Sequence, residues 1–293
     1  AFLVGCCVCG VFISLCGSLL GLSLVLKRYA LIVAGLSHVS FGALSVALAV
    51  GWSPLAVSIP VVVLAAFFLL RITENGRMKS DAAIAMISAS ALAIGIIVTS
   101  MTTGMTTDIS SYMFGSILAM SPSDVRFAAV LSVIVLGLFI FCYHKMFAVT
   151  FDENFARATG VKVGHYNVLI AILTAVTIVL GMRMMGAMLI SSLIIFPALT
   201  SMRIFKSFFG VVLSSGIVSV VCFAIGMVLS YTLSTPAGAS VVVEHLACFL
   251  LFGAWQAAGR LRGEQERAGI KAISGVYRRL GAAYKGAPRV LAR

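Results

Sequence analysis

The sequence predicts an all-α polytopic membrane protein with about nine transmembrane helices (eight to ten), and three observations carry that expectation. Hydrophobic residues make up 61% of the 293 residues and charged residues only 10%, against about 25% charged in an ordinary soluble domain. Apolar runs close to the ~20 residues needed to cross a bilayer recur along the chain. No polar stretch between them is long enough to build a soluble lobe. Residues 1–259 are therefore expected to form one membrane domain, and 260–293 a basic cytoplasmic tail.

Taken in order, the first run, about Phe2 to Leu26, lacks a basic leader and an A-x-A cleavage site. It reads as a spanning helix rather than a signal peptide, and it ends at Lys27-Arg28. The second helix runs about Ala30 to Val50 and stops at Gly51-Trp52-Ser53-Pro54, with Trp52 suited to the interface. The third covers about Leu55 to Leu70, followed by the polar loop RITENGRMKSD, and the fourth about Ala82 to Met101. Thr102 to Ser111 is polar and Thr-rich. Tyr112 to Met120 is apolar but too short to span, as expected of a half-helix or re-entrant piece buried in protein. Ser121-Pro122-Ser123-Asp124 is a helix start, opening the fifth helix at about Val125 to Phe147. Phe151 to Gly164 is the most charged internal stretch. Helices of about Tyr166 to Met182, Met185 to Ser201, Phe208 to Leu233 and Ser240 to Ala258 complete the set, the last two joined by the turn STPAG.

Basic residues set the orientation, because cytoplasmic loops carry an excess of Lys and Arg. Lys27/Arg28, Arg71/Arg77/Lys79, Arg157/Lys162 and Arg203/Lys206 fall on alternate loops, and the tail after Gly259 holds nine Lys or Arg against two Glu. This places the N-terminus outside and the C-terminus in the cytoplasm. Arg126 and Arg183 break the pattern, and both lie at helix ends from which a long side chain can snorkel. The net charge of +12 is concentrated in that tail, which suits anionic lipid. Nucleic acid is not an expected partner. The seven cysteines show no closed zinc spacing and read as apolar membrane cysteines.

His38 is the one side chain between Leu31 and Gly51 able to bind a metal or carry a proton. It lies about 12 Å along the second helix, close to mid-membrane, where an ionisable group is costly unless partnered or lining a polar path. Ala34, Gly35 and Gly42 on its face allow another helix to approach closely. Two roles fit: a hydrogen bond across a helix interface, or a ligand for a borderline divalent ion such as zinc. Glu244 and His245 are adjacent and so do not share a helix face. His245 can serve as an entrance metal ligand or sit near the headgroups facing the surface. His144 and His165 fall at helix ends, where a solvated role is expected. Metalloprotease, nucleophile-elbow, phosphate-loop and dinucleotide motifs are absent, so the chain is not expected to be an enzyme or to hydrolyse nucleotide.

Four stretches in order carry a resemblance. LKRYALIVAGLSHVSFGALSVALAVG is similar to "R-R-M-S-L-x-G-D-A-L-S-H-A-x-L-P-G", and SSYMFGSILAMSPSDV to "L-L-F-G-x-I-L-A-x-S-x-x-D". AVTFDENFARATGVKVGHYN with MRMMGAMLISSLIIFPALTSMRIFKS resembles "F-D-x-x-F-A-x-x-x-G" and then "x-R-x-x-G-x-L-L-V-x-A-L-L-x-x-P-A-x-x-A". STPAGASVVV looks like P-x-G-x-x-I-V. Together they resemble the permease subunits of bacterial zinc/manganese-type ABC importers and cover nearly the whole membrane region. The resemblance implies a type II importer permease fold in the bacterial inner membrane. It implies a second permease subunit (the same chain or an unlike one), cytoplasmic ABC ATPase subunits, and an extracytoplasmic metal-binding protein. The cargo implied is a divalent ion, zinc or manganese and possibly iron, passed without tight binding. Permeases for a metal chelate, siderophore or organic cofactor share the architecture, and a proton-coupled secondary transporter is a further class. Pro197 to Ser207 is implied to form or adjoin the ATPase-coupling helix, with Pro197, Ala198, Thr200, Arg203 and Lys206 as its residues. One departure stands out: the family pattern has Asp four residues before its His, and this chain has Ala34.

Overall fold

A computed structural model describes residues 2–75, 80–102, 115, 121–187 and 189–258. The Tyr112–Met120 segment (apart from Gly115), the loop positions Arg77 and Lys79, and the 260–293 tail lie outside the described residues. The helices are α1 (Phe2–Leu26), α2 (Ala30–Val50), α3 (Pro54–Asn75), α4 (Ser80–Met101), α5 (Pro122–Phe151), α6 (Glu153–Ala158), α7 (Val163–Met185), α8 (Ile190–Ile204), α9 (Phe208–Leu233) and α10 (Ala237–Ala258). Eight are long and apolar enough to cross a membrane. By contacts the chain divides after Phe249. The first unit holds α1–α9 and the start of α10; the described part of the second is the last turns of α10.

Local chemistry explains the boundaries. Ser121 caps α5 through a hydrogen bond from the Asp124 amide, and the Asp124 carboxylate accepts from the Ser121 amide in return, satisfying donors that α5 cannot satisfy itself. Gly51, at φ 76°, closes α2 in the left-handed conformation. Two departures from expectation concern α6 and α8. The charged stretch after α5 contains a short helix, started by Asp152, whose carboxylate accepts from the amides of Asn154 and Phe155. The seventh expected helix begins at Ile190 rather than Met185, because the chain breaks at Gly186 with φ 87°. At 15 residues, α8 rises only about 22 Å. It is tolerated because it is largely enclosed by its own chain.

At the centre is α7, with every residue from Leu173 to Met185 buried. Around it, glycines set how closely helices approach. A Cβ at Gly42 would lie 2.6 Å from the Ala91 carbonyl oxygen of α4, and one at Gly95 would lie 2.7 Å from the Phe41 ring. The α2–α4 seam is therefore a close backbone contact of the kind small residues permit. The face expected to admit a neighbouring helix does so, and the neighbour is α4. On the other side, α1 and α9 join through serines: Ser219 donates to the Ser14 carbonyl at 3.1 Å and Ser215 to the Ser18 carbonyl at 3.2 Å.

Gly42→Val should lower stability by about 1–3 kcal/mol or abolish accumulation, because the seam has no room to relax. Gly137→Ala, whose Cβ meets nothing within 4 Å, should leave it unchanged. Thermal melts of the two variants in detergent check this.

Candidate functional site

Along α2, Leu31 is exposed, and Ala34 and His38 are half-buried; the spacing of three and then four residues aligns them. They flank Gly35 and Gly42 on the face that packs on α4, and from there His38 reaches α4, with Nδ1 at 2.6 Å from Ser88 Oγ. The cross-interface hydrogen bond is thus real. In the tautomer where Nδ1–H donates to Ser88, Nε2 keeps its lone pair, the state in which imidazole binds metals. Holding one ring nitrogen by a hydrogen bond while the other ligates is the usual arrangement of metal-binding histidines.

His245 is 1% exposed, so its surface-facing reading is corrected. Val241 and Phe249, four residues to either side, share its face. A Cβ at Gly226 would lie 2.6 Å from Val241, and Phe249 stacks on Phe196 at 5.9 Å. That face points inward. Nδ1–H of His245 donates to the Val241 carbonyl at 2.8 Å, and its Nε2 has no hydrogen-bond partner among the described residues. Neither histidine belongs to a ready-made cluster: no group of three or more His, Cys, Asp or Glu able to hold a metal occurs among the described residues. His144 and His165 are exposed.

Of the residues implied for coupling, Pro197, Ala198 and Thr200 are buried, and Thr200 bonds back to the Phe196 carbonyl at 2.8 Å. Arg203 lies over the Phe249 ring at 3.9 Å. Lys206 is exposed, as are Met202, Ile204, Phe205 and Ser207. A cleft of about 270 Å³ runs beside this connection, with Phe151, Phe205 and Lys206 in its walls.

Two charged groupings were missed at the level of sequence. At the end of the bundle that holds α6, Lys27 has only 5% of its side chain exposed and donates to Glu153 Oε1 and to Asn167 Oδ1, both at 2.6 Å. Asn167 Nδ2 closes the triangle on Glu153 at 3.2 Å. The end of α1, helix α6 and the start of α7 are thus tied at one point. Burial alone would raise the Glu153 carboxyl, but the bond and charge of Lys27, with Asn167 and Arg157, outweigh it and hold it below its ordinary value. At the opposite end, Arg183 does not snorkel. Its side chain is 7% exposed and pairs with Asp124 at 2.9 Å, joining the end of α7 to the start of α5. The signal was present in residue types (a lone Lys, a Glu in the charged stretch, an Arg at an odd position), but the pairings cross 126 and 59 residues.

Helices long and apolar enough to cross a membrane, a half-buried histidine within one of them and ion pairs at both bundle ends are the features of a polytopic membrane protein. The chain belongs to the ABC 3 transport family, whose profile matches residues 1–256. Among relatives, the high-affinity zinc uptake system membrane protein ZnuB of Haemophilus influenzae is 26% identical, covering 83% of this chain and 93% of its own. The manganese import system permease protein ScaB of Streptococcus gordonii is 27% identical over 85% and 90%. The solved structure of PsaBC from Streptococcus pneumoniae in complex with Fab superposes with a TM-score of 0.78 at 26% identity, covering 86% of this chain and 91% of that one. The fold is that of an ABC importer permease, as the resemblance implied.

Glu153→Gln should destabilise the protein and flatten its acid response. The folded carboxyl titrates below its unfolded value, so its contribution is complete above the ordinary carboxylate range and is lost as pH falls through the folded value. The melting difference between wild type and Glu153→Gln should be largest at neutral pH and close on acidification. Lys27→Met, which leaves Glu153 only the looser, exposed Arg157 at 3.9 Å, should cost about 1–3 kcal/mol at neutral pH.

Proposed function

We propose that this chain is the membrane-spanning permease subunit of an ATP-driven importer of divalent transition-metal ions, zinc or manganese. The observation that carries the reading is His38, a half-buried imidazole at mid-membrane depth on α2, held to Ser88 through Nδ1. Family membership and the zinc and manganese relatives support it. The ion is passed rather than stored, since a conducting site must also release its ion. A second permease subunit, the same chain or an unlike one, completes the path beside His38. With Ala34 where a carboxylate would share His38's face, this chain offers nitrogen and hydroxyl groups there. Such a donor set suits zinc better than the harder manganese ion. His245 Nε2, buried and unpartnered, is a second contact on the way.

ATP hydrolysis belongs to separate cytoplasmic ABC ATPase subunits, and a metal-binding protein delivers the ion from outside. The basic-residue pattern supports an outside N-terminus, a cytoplasmic C-terminus and residence in the bacterial inner membrane. The exposed connection from Met202 to Ser207, with Arg203 and Lys206, meets the ATPase. Pro197, Ala198 and Thr200 shape the helix behind it rather than touch the partner. Residues 260–293 form the basic tail, held near anionic lipid.

Uptake of zinc into vesicles carrying the assembled transporter should stop when the ATPase is inactivated; uptake that persists overturns the ABC reading. His38→Ala should reduce uptake by about tenfold, the loss of roughly 1.4 kcal/mol of contact in the path, with folding intact. Ala34→Asp should shift preference toward manganese. Unchanged rates and preference in both variants would return His38 to a purely structural role.

A further inference from the structure

We infer that a groove on the membrane-facing side of the bundle is a seat for one phospholipid, with the headgroup phosphate at His144 and the acyl chains running along α9. The groove has a volume of about 820 Å³ and lies between α5 and α9, with Leu15 and Leu19 of α1 at its floor. It exists because α5 and α9 both pack along α1 and meet each other at one end, where Tyr143 and Phe147 surround Phe208. Its volume is that of a site for a ligand of several hundred daltons.

Three observations select a lipid. The first is depth. His144 is the twenty-third residue of α5, about 33 Å from the start of that helix, just beyond the ~30 Å hydrocarbon core. From Phe209 to Val221, both in the lining, α9 rises about 18 Å, close to the depth of one leaflet. The second is polarity. Tyr143 and His144, adjacent at that headgroup-level end, are the polar side chains of the lining, and the rest is apolar. His144 is exposed and Tyr143 is half-buried against Phe208, with ring centroids 5.6 Å apart. The third is the rim. Helices associate within a bilayer through small residues and polar groups, whereas here the rim is Ile140, Leu213 and Ile217, each more than half exposed. Gly216 is the single glycine, and a Cβ there would already be 3.4 Å from Leu15. Large flexible side chains around a one-leaflet slot fit acyl chains and not a second helix.

Because the lipid competes only with other lipids, the groove selects by fit and by its head end. The test reconstitutes the transporter in mixed phosphatidylethanolamine–phosphatidylglycerol vesicles, extracts it in detergent and counts phospholipid retained per chain by native mass spectrometry. Wild type should hold a bound phospholipid through washing, and Leu213→Trp, an exposed position whose enlarged side chain fills the slot, should reduce retention by about tenfold with an unchanged melting temperature. His144→Glu should reduce retention of phosphatidylglycerol more than of phosphatidylethanolamine. In parallel, a phospholipid with a photoreactive acyl chain should label the peptide spanning residues 209–221 of the wild type, a readout that needs no variant. Equal retention in wild type and Leu213→Trp, or absence of labelling there, overturns the assignment. High-yield disulfide cross-linking between two copies through Leu213→Cys would give the groove to a second copy instead.

Discussion

The structure depends on how α7 is held. It is the most enclosed helix of the bundle, and each of its ends is fastened by charge. Arg183 meets Asp124 at one end, and Asn167 meets Lys27 and Glu153 at the other. The cations Lys27 and Arg183 are enclosed enough to be weakly screened, and removing the carboxylate strands the cation in a poor solvent. The two fastenings reach different neighbours: α5 through Asp124, and α1 and α6 through Lys27 and Glu153. Lateral contacts among apolar helices in lipid have little directional preference, since a lipid tail packs against Leu about as well as another Leu does. The ion pairs supply the direction, fixing which helix ends lie together.

A second constraint is the α2–α4 seam. Backbone meets backbone there at Gly42 and Gly95, and His38 adds a hydrogen bond to Ser88 across it. The residue nominated for ion contact is thus part of the joint that positions it. Of the two sequence-level readings of His38, the hydrogen bond across the interface is the one seen in the structure, through Nδ1.

Helix existence was legible because apolar runs of spanning length are a one-dimensional signal. For α1, α2 and α9 even the ends agreed, since Lys27-Arg28, Gly51 and Ser234-Thr235 interrupt them abruptly. Helix α6 was missed because six residues carry too little periodicity to separate from a loop, though Asp152 is an ordinary cap. The late start of α8 follows from a positive-φ break at Gly186 inside a largely apolar run, which composition does not mark. The surface-facing reading of His245 failed because its sequence neighbour Glu244 says nothing about its face; the face it shares with Val241 and Phe249 is the better guide. Arg183 looked like a stray interfacial charge because its partner lies in another helix, and nothing local reveals a pairing across 59 residues. The family pattern implied one coupling stretch without distinguishing its members, and burial separates Pro197, Ala198 and Thr200 from the exposed Lys206.

The side of α2 that faces α4 carries unequal freedom. At Gly42 it is fixed by contact with backbone atoms, so an added methyl group collides. At its margin Leu31 is exposed and Ala34 half-buried, and a side chain at Ala34 has room that Gly42 lacks. A single helix face therefore combines a rigid register with a replaceable margin. In such a protein one marginal side chain can be exchanged at a time while the architecture stands still.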